Sequence, residues 1–369
     1  MFAMTNSLFQ ELLLISLGKR ASFSSVPSLE DWQTIFDISK KQALLGICFE
    51  GITAAYKSYP GQFSNFPQNL KIQWLGYIAM IQDRNQLMNR KSVELQKSLS
   101  LDGFRCCILK GQGVASFYGS LALFRQSGDI DILVDTDKKT LLKYLVDKGI
   151  PNNSWDYVHI HPKLFDGIDV ELHYRTNVFR NVFRNRNYQK FIESNKDEFF
   201  SKNVALDGCG EITIPSDWMN LFYLLHHIYR HMFSEGIGLR QVMDYNFVLK
   251  SISLTKDDNV RLLSAVKVFE MERFASGLMW VLGEVFCLER EFMPWDPDER
   301  EGRYILEDIM QSGNFGRIDN RYGKFTDSKV RKLITTLRRS AHLCAHYPNE
   351  ALWTPLYYVW HFCWKKCSH

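Results

Sequence analysis

The sequence predicts an α+β fold: a small mixed sheet as a core, flanked by an N-terminal and a C-terminal helical region. Three observations carry this. Apolar residues recur at helical spacing through residues 1–100 and again from Pro215 onward. Between them, short apolar runs alternate with helical stretches, as in mixed α and β structure. One run, Gly128-Asp129-Ile130-Asp131-Ile132-Leu133-Val134, sets two carboxylates two residues apart in an otherwise apolar strand. The expected divisions are 1–100 (helical), 101–214 (core) and 215–369 (helical).

In chain order, Leu12-Leu13-Leu14-Ile15-Ser16-Leu17 has no basic residue before it and Lys19-Arg20 after it. That is not a signal-peptide layout and is too short to span a bilayer, so it reads as a buried helix. Ser28 with Glu30 and Asp31 starts a helix carrying Trp32, Ile35, Phe36 and Ile38. A long helix is expected from Pro67 to Ser100, with Ile72, Leu75, Ile78, Met80, Leu87, Met88, Leu95 and Leu99 as its apolar stripe. Asp102-Gly103 ends it. Strands follow at Phe104–Leu109 and Ile130–Val134, with a Lys110-Gly111-Gln112-Gly113 turn after the first and a helix over Lys138–Lys148 after the second. Tyr157–Lys163 and Ile168–Tyr174 read as a hairpin-like pair around Phe165-Asp166-Gly167. Ser216 caps the next helix, and amphipathic stretches cover 236–251, 256–289, 300–312 and 327–345. Trp353, Tyr357, Tyr358, Trp360 and Trp364 form a stripe expected to pack as a helix rather than lie on a membrane.

Composition narrows the function. With 46% hydrophobic and 14% aromatic residues in 369, the chain is not disordered. Its 45 basic and 41 acidic residues leave +4, which argues against a broad nucleic-acid-binding surface and allows a local basic pocket. The eight cysteines form no paired framework, and reduced thiols in a cytoplasmic protein are the expectation.

The chemistry centres on the acidic strand. Side chains alternate, so Asp129 and Asp131 share one face while Ile130 and Ile132 enter the core. Adjacent like charges repel unless a cation lies between them, and hard divalent cations such as Mg²⁺ favour such oxygen ligands. In Ile168–Tyr174, Asp169, Glu171 and His173 share a face, so Glu171 or Asp169 can supply a third carboxylate. Three carboxylates suffice for two Mg²⁺ ions, with Mn²⁺ as a substitute. Lys110 and Gly111 lie at a strand-to-helix turn suited to phosphate, although Lys110 can equally end a strand in water. Arg125 and Ser127, just before Gly128, are either loop residues or phosphate contacts.

These elements resemble the nucleotidyltransferase superfamily, with its glycine turn, paired Asp-x-Asp and later single carboxylate. More closely, the chain is similar to the bacterial group usually called uncharacterised nucleotidyltransferase family proteins. The resemblance rests on Leu109-Lys110-Gly111, on Arg125-Gln126-Ser127-Gly128-Asp129-Ile130-Asp131-Ile132-Leu133-Val134 and on Val170-Glu171-Leu172-His173. A downstream portion with His226, His227, His231, Arg240 and Asp244 extends it over residues 28 to 250. The turn departs from the usual Gly-Ser, and Glu171 stands where Asp is common. The resemblance implies metal ligation by Asp129, Asp131 and Glu171, with an NTP as substrate and Mg²⁺ as cofactor. The acceptor is a small molecule or a protein. A catalytically silent nucleotide-binding or regulatory module is the alternative.

Other residues stay open between roles. His173 either orients the carboxylate, contacts substrate or is structural. His159 and His161 are expected in packing or at the surface. His227 and His231 share a helix face but lack the accompanying glutamate of a metalloprotease, so nucleotide contact or packing is expected rather than zinc. No metal site is expected from His361, Cys363, Cys367 and His369 in the tail.

Overall fold

The computed structural model describes residues 7–316, 319, 321–322 and 329–367. The first helices run Leu8–Ser16, Leu29–Lys41 and Leu45–Ser58, with Leu12 and Leu13 fully buried. Ser28 starts the second through a reciprocal capping box with Asp31, as its spacing predicts. The long helix spans Gln68–Leu101. Its buried face is Leu70, Trp74, Ile78, Asn85, Met88, Ser92, Leu95 and Leu99, whereas Ile72, Leu75 and Met80 are exposed. The expected stripe is therefore corrected in its first half. Apolar residues there occur on more than one face, and tertiary packing chose the face bearing Trp74.

Among the described residues, seven strands form two sheets. The larger contains β1 (Cys106–Ile108), β2 (Asp129–Val134), β3 (Asn152–Trp155), β4 (His159–Pro162) and β5 (Asp169–His173), in the order β1-β2-β5-β4-β3. The β2–β5 pair is parallel, and its register sets Asp129 beside Asp169 and Asp131 beside Glu171. The other pairings are antiparallel. A hairpin of β6 (Lys202–Leu206) and β7 (Gly210–Ile214) forms the second sheet. The sequence reading missed β3, this hairpin and the helix Val182–Ser194, all rich in polar residues that blur a period of two or 3.6.

Alternation sorts the main sheet's two faces. Ile130, Ile132, Val170 and Leu172 pack with Leu141 and Leu145 and with Met88, Leu95 and Leu99 of the long helix. Cys107, Leu109 and Leu133 turn the other way, into a cluster shared with Trp218, Phe222 and Leu225. The neighbouring thiols thus face opposite sides, Cys106 joining the first cluster and Cys107 the second. The described cysteines identified as free include Cys48, Cys106 and Cys107, all buried.

After the hairpin come the helices Asp217–Phe233 and Leu239–Ser251. Ser216 stands at the first helix's N-cap, but its hydroxyl makes no capping bond. The stretch expected as one helix over 256–289 is two, Lys256–Val268 and Glu272–Phe286, separated where Glu270 takes a positive φ of 52°. Glu299–Ser312, Lys329–Leu343 and Thr354–Cys367 follow. Residues 327–328 of the expected 327–345 stretch lie outside the described residues, as does His369 of the tail cluster. The terminal helix packs edge-to-face on the sheet's outer hairpin, Trp360 on Tyr157 and Trp364 on Trp155. No helix among the described residues is long and apolar enough to cross a membrane.

The N-terminal helices meet the loop before β2 closely. A Cβ at Gly46 would lie 2.0 Å from the Phe124 carbonyl oxygen. Gly46→Ala should therefore cost about 1–3 kcal/mol through overpacking, read as a lower urea midpoint at unchanged slope. A midpoint equal to the wild type would show that this contact does not hold the loop.

Candidate active site

Asp129 and Asp131 lie on β2, and the parallel partner β5 brings Glu171 beside them. One carboxylate oxygen from each of Asp129, Asp131 and Glu171 falls within a 4.8 Å group. Asp169, level with Asp129, lines the same cleft but is exposed and lies outside that group. The cleft has a volume of about 750 Å³ and lies between the sheet and the helices Asp217–Phe233 and Leu239–Ser251.

Compensating cations crowd the acids. The Leu109 amide donates to the Asp131 carbonyl, which sets Lys110 at the strand's end. The Lys110 ammonium is 2.8 Å from Asp131 Oδ1. His173 Nε2 lies 3.1 Å from the same oxygen and 3.2 Å from Glu171 Oε2. Gly111 has a positive φ of 51°, and a Cβ there would come within 3.2 Å of the Asp129 carbonyl, so the turn needs glycine.

These contacts set the protonation pattern. The Asp131 charge, then burial, push the Asp129 carboxyl up to about 6. Burial opposes ionisation of Asp131, but Lys110 and His173 outweigh it and hold that carboxyl below its usual range. Glu171 is likewise held low, with His173 and Lys110 overcoming burial. Burial disfavours the His173 imidazolium, yet bonds to Asp131 and Glu171 push it up to about 9. His159 is held down to about 4, first by burial and then by the neighbouring His173.

The loop ahead of β2 is fixed from two directions. Arg84 on the long helix donates to the carbonyls of Gly128 (2.6 Å) and Gly167 (3.1 Å). Asn85 donates to those of Leu123 and Arg125, both at 2.7 Å. Gln126 accepts from the Leu45 amide at 3.1 Å. From the opposite side, Asp244 takes Arg125 Nε at 2.7 Å and Arg125 Nη2 at 2.8 Å, and accepts from Tyr118 Oη at 2.6 Å. Arg125 also donates to Ser127 Oγ at 2.9 Å. The Arg125 guanidinium and Ser127 hydroxyl are thus tied to protein partners, and Arg240 stands 4.0 Å from Asp244.

His227 and His231 both line the cleft, their ring centroids 4.3 Å apart. His231 Nδ1 is 2.9 Å from Glu235 Oε2. Neither belongs to a group of three or more close metal-ligating residues among those described. His159, expected in packing or at the surface, is buried and lines the cleft too. Arg84, Arg230 and Glu235 also line it and were not singled out from the sequence. Their common signal is weak: each is one charged residue on a helix or at its end, indistinguishable by spacing from a solvated one.

A family described as "Uncharacterised nucleotidyltransferase" matches residues 28–287. No curated protein matches the chain. Among solved structures, the crystal structure of an antigenic nucleotidyltransferase-like protein from Paracoccidioides brasiliensis aligns with TM-score 0.35 and 12% identity, covering 58% of this chain and 96% of that one.

Removing one partner of a buried pair leaves an uncompensated charge. Asp244→Ala should thus lower stability by about 3–5 kcal/mol, measured by denaturant unfolding. Asp244→Ala combined with Arg125→Met should recover part of the loss. No recovery would mean the pair is not the source of the cost.

Proposed function

The chain belongs to the uncharacterised nucleotidyltransferase family, and we propose that it transfers a nucleoside monophosphate from an NTP to an acceptor hydroxyl, releasing pyrophosphate. The observation that supports this most directly is the gathering of Asp129, Asp131 and Glu171 oxygens within 4.8 Å on the floor of a large cleft. The donor set fits a hard divalent cation: all oxygen, acidic and crowded enough that Asp131 drives the Asp129 carboxyl up to about 6. Asp129, Asp131 and Glu171 would hold Mg²⁺, or Mn²⁺ in its place. When bound there, Mg²⁺ would supply charge stabilisation at the α-phosphate and the departing pyrophosphate.

The chain's own groups then position the reactants. Gly111 would let phosphate approach the backbone, and the Lys110 ammonium, which lines the cleft, would offer it a compensating charge. Asp169 or Glu171 takes the proton from the acceptor hydroxyl as the new O–P bond forms. Arg230 and Arg240 line the helical wall and favour anionic substrate. Most of the rate advantage would come from positioning and fixed electrostatics.

One observation favours the second reading, a silent nucleotide-binding module. Lys110 and His173 already neutralise Asp131 and Glu171. Labelled NTPs incubated with the protein and fractionated cell extract separate the two readings. Pyrophosphate release with a mass-shifted acceptor supports transfer; Mg-NTP binding with no turnover in any fraction supports the module.

Asp129→Asn and Asp131→Asn should each lower turnover about 100-fold or more, with unfolding measured alongside because Asp131→Asn strips Lys110 and His173 of a buried counter-charge. Turnover near the wild-type rate in both would refute the assignment. Protonated Asp129 competes with metal, so apparent Mn²⁺ affinity should fall about tenfold from pH 7 to pH 5. Between pH 7 and pH 8 it should level off, before His173 begins to lose the proton that compensates Asp131 and Glu171. Calorimetry across that range checks this, and Asp129→Asn should flatten the dependence.

A further inference from the structure

Beside the three carboxylates, and sharing Glu171 with them, lies a second group of ligands whose histidines the proposed transfer does not use. β4 and β5 are antiparallel neighbours, and their register sets His159 opposite His173. One ligand atom each from His159, Glu171 and His173 falls within a 4.8 Å group. His161, two residues along β4, turns the same way and brings its Nε2 to 2.9 Å from His159 Nε2. The His159–His161 and His159–His173 ring centroids are 4.5 and 4.8 Å apart. His159 Nε2 also lies 3.6 Å from Glu171 Oε1 and 3.5 Å from Asp156 Oδ2.

A packing role leaves part of this unexplained. His159 is only 8% exposed and lines the cleft, and its Nε2 faces a second imidazole nitrogen and two carboxylates. A buried ring serving packing alone would not ordinarily turn a nitrogen into such a set of ligand atoms. Three imidazoles and one carboxylate at the cleft's edge, which His159 and Glu171 line and with His161 just outside the 4.8 Å group, are instead the donor set of a borderline transition metal.

We propose that His159, Glu171 and His173, with His161 as the fourth donor, form a site for a transition-metal dication of the Zn²⁺ class. The ion replaces the Nε2 proton that His173 shares with Asp131 and Glu171, and that proton leaves to solvent. Glu171 becomes the common edge of two unlike sites, one all oxygen and one rich in nitrogen. The donor types separate the ions: imidazole favours Zn²⁺ or Co²⁺ over Mg²⁺, whereas the Asp129 side favours Mg²⁺. The assignment stands on these residues alone and does not require the transferase reading.

Co²⁺ titrated into the full chain in excess Mg²⁺ tests it, because a low-symmetry nitrogen-rich site gives cobalt a visible absorption band. One equivalent should produce the band and Zn²⁺ should abolish it. The band should be lost in His159→Gln, weakened about tenfold in affinity in His161→Gln, and kept in Asp129→Asn. No band in the wild type, a band unchanged in both histidine variants, or its loss in Asp129→Asn would each overturn the proposal. Should His159→Gln not fold, the half-buried His161 variant decides alone. Turnover in the presence of Mg²⁺ is scored separately, so failure of the transferase reading leaves the cobalt result intact.

Discussion

The structure is organised around one electrostatic constraint, the crowding of carboxylates where β2 and β5 run parallel. Parallel pairing in register sets Asp131 beside Glu171 and Asp129 beside Asp169. Asp131 is almost wholly buried, so its charge keeps little help from water and repels its neighbours strongly. The fold answers with cations from two elements, Lys110 from the end of β1 and His173 from β5 itself. Asp129, farther from these, absorbs the remaining repulsion as a raised proton affinity.

That constraint explains why both helical regions converge on a short loop. Asp129 can face the cleft only if residues 124–128 are held, because β2 starts immediately afterward. Arg84 and Asn85 hold the loop's carbonyls, Gln126 is held by the Leu45 amide, and Gly46 lets the backbone approach. Asp244 anchors Arg125 from the opposite side. The long helix and the helix Leu239–Ser251 therefore act on the same loop and meet at Arg125, though neither carries a carboxylate of the central group.

Much of this was legible in the sequence, for identifiable reasons. The Asp129/Asp131 face, the apolar role of Ile130 and Ile132 and the third strand with Glu171 followed from the two-residue period of a strand. The Ser28 cap followed from a local hydrogen-bond pattern. Partners distant in sequence did not follow. Nothing local joins Arg125 to Asp244, 119 residues away, so in the sequence Arg125 reads only as a loop residue or a phosphate contact. For the same reason the sequence does not show His159 opposite His173, a placement that depends on the β4–β5 register. The first half of the long helix was misjudged because its apolar residues do not mark a single face.

Charge balance also bears on how the cleft takes up ligands. With Lys110 and His173 in place, Asp131 and Glu171 are already compensated, so a lone divalent ion gains less here than beside bare carboxylates. A dication arriving with polyphosphate differs, because the phosphate oxygens offer Lys110 another partner and free Asp131 to ligate. Arg230 and Arg240 on the facing wall add positive potential where such an anion would lie. On the proposed function, metal and nucleotide binding would thereby be coupled through Lys110, each improving the site for the other. The histidine cluster extends the same logic by one strand: where His173 now supplies a single positive charge to Glu171, a nitrogen-preferring ion would supply two.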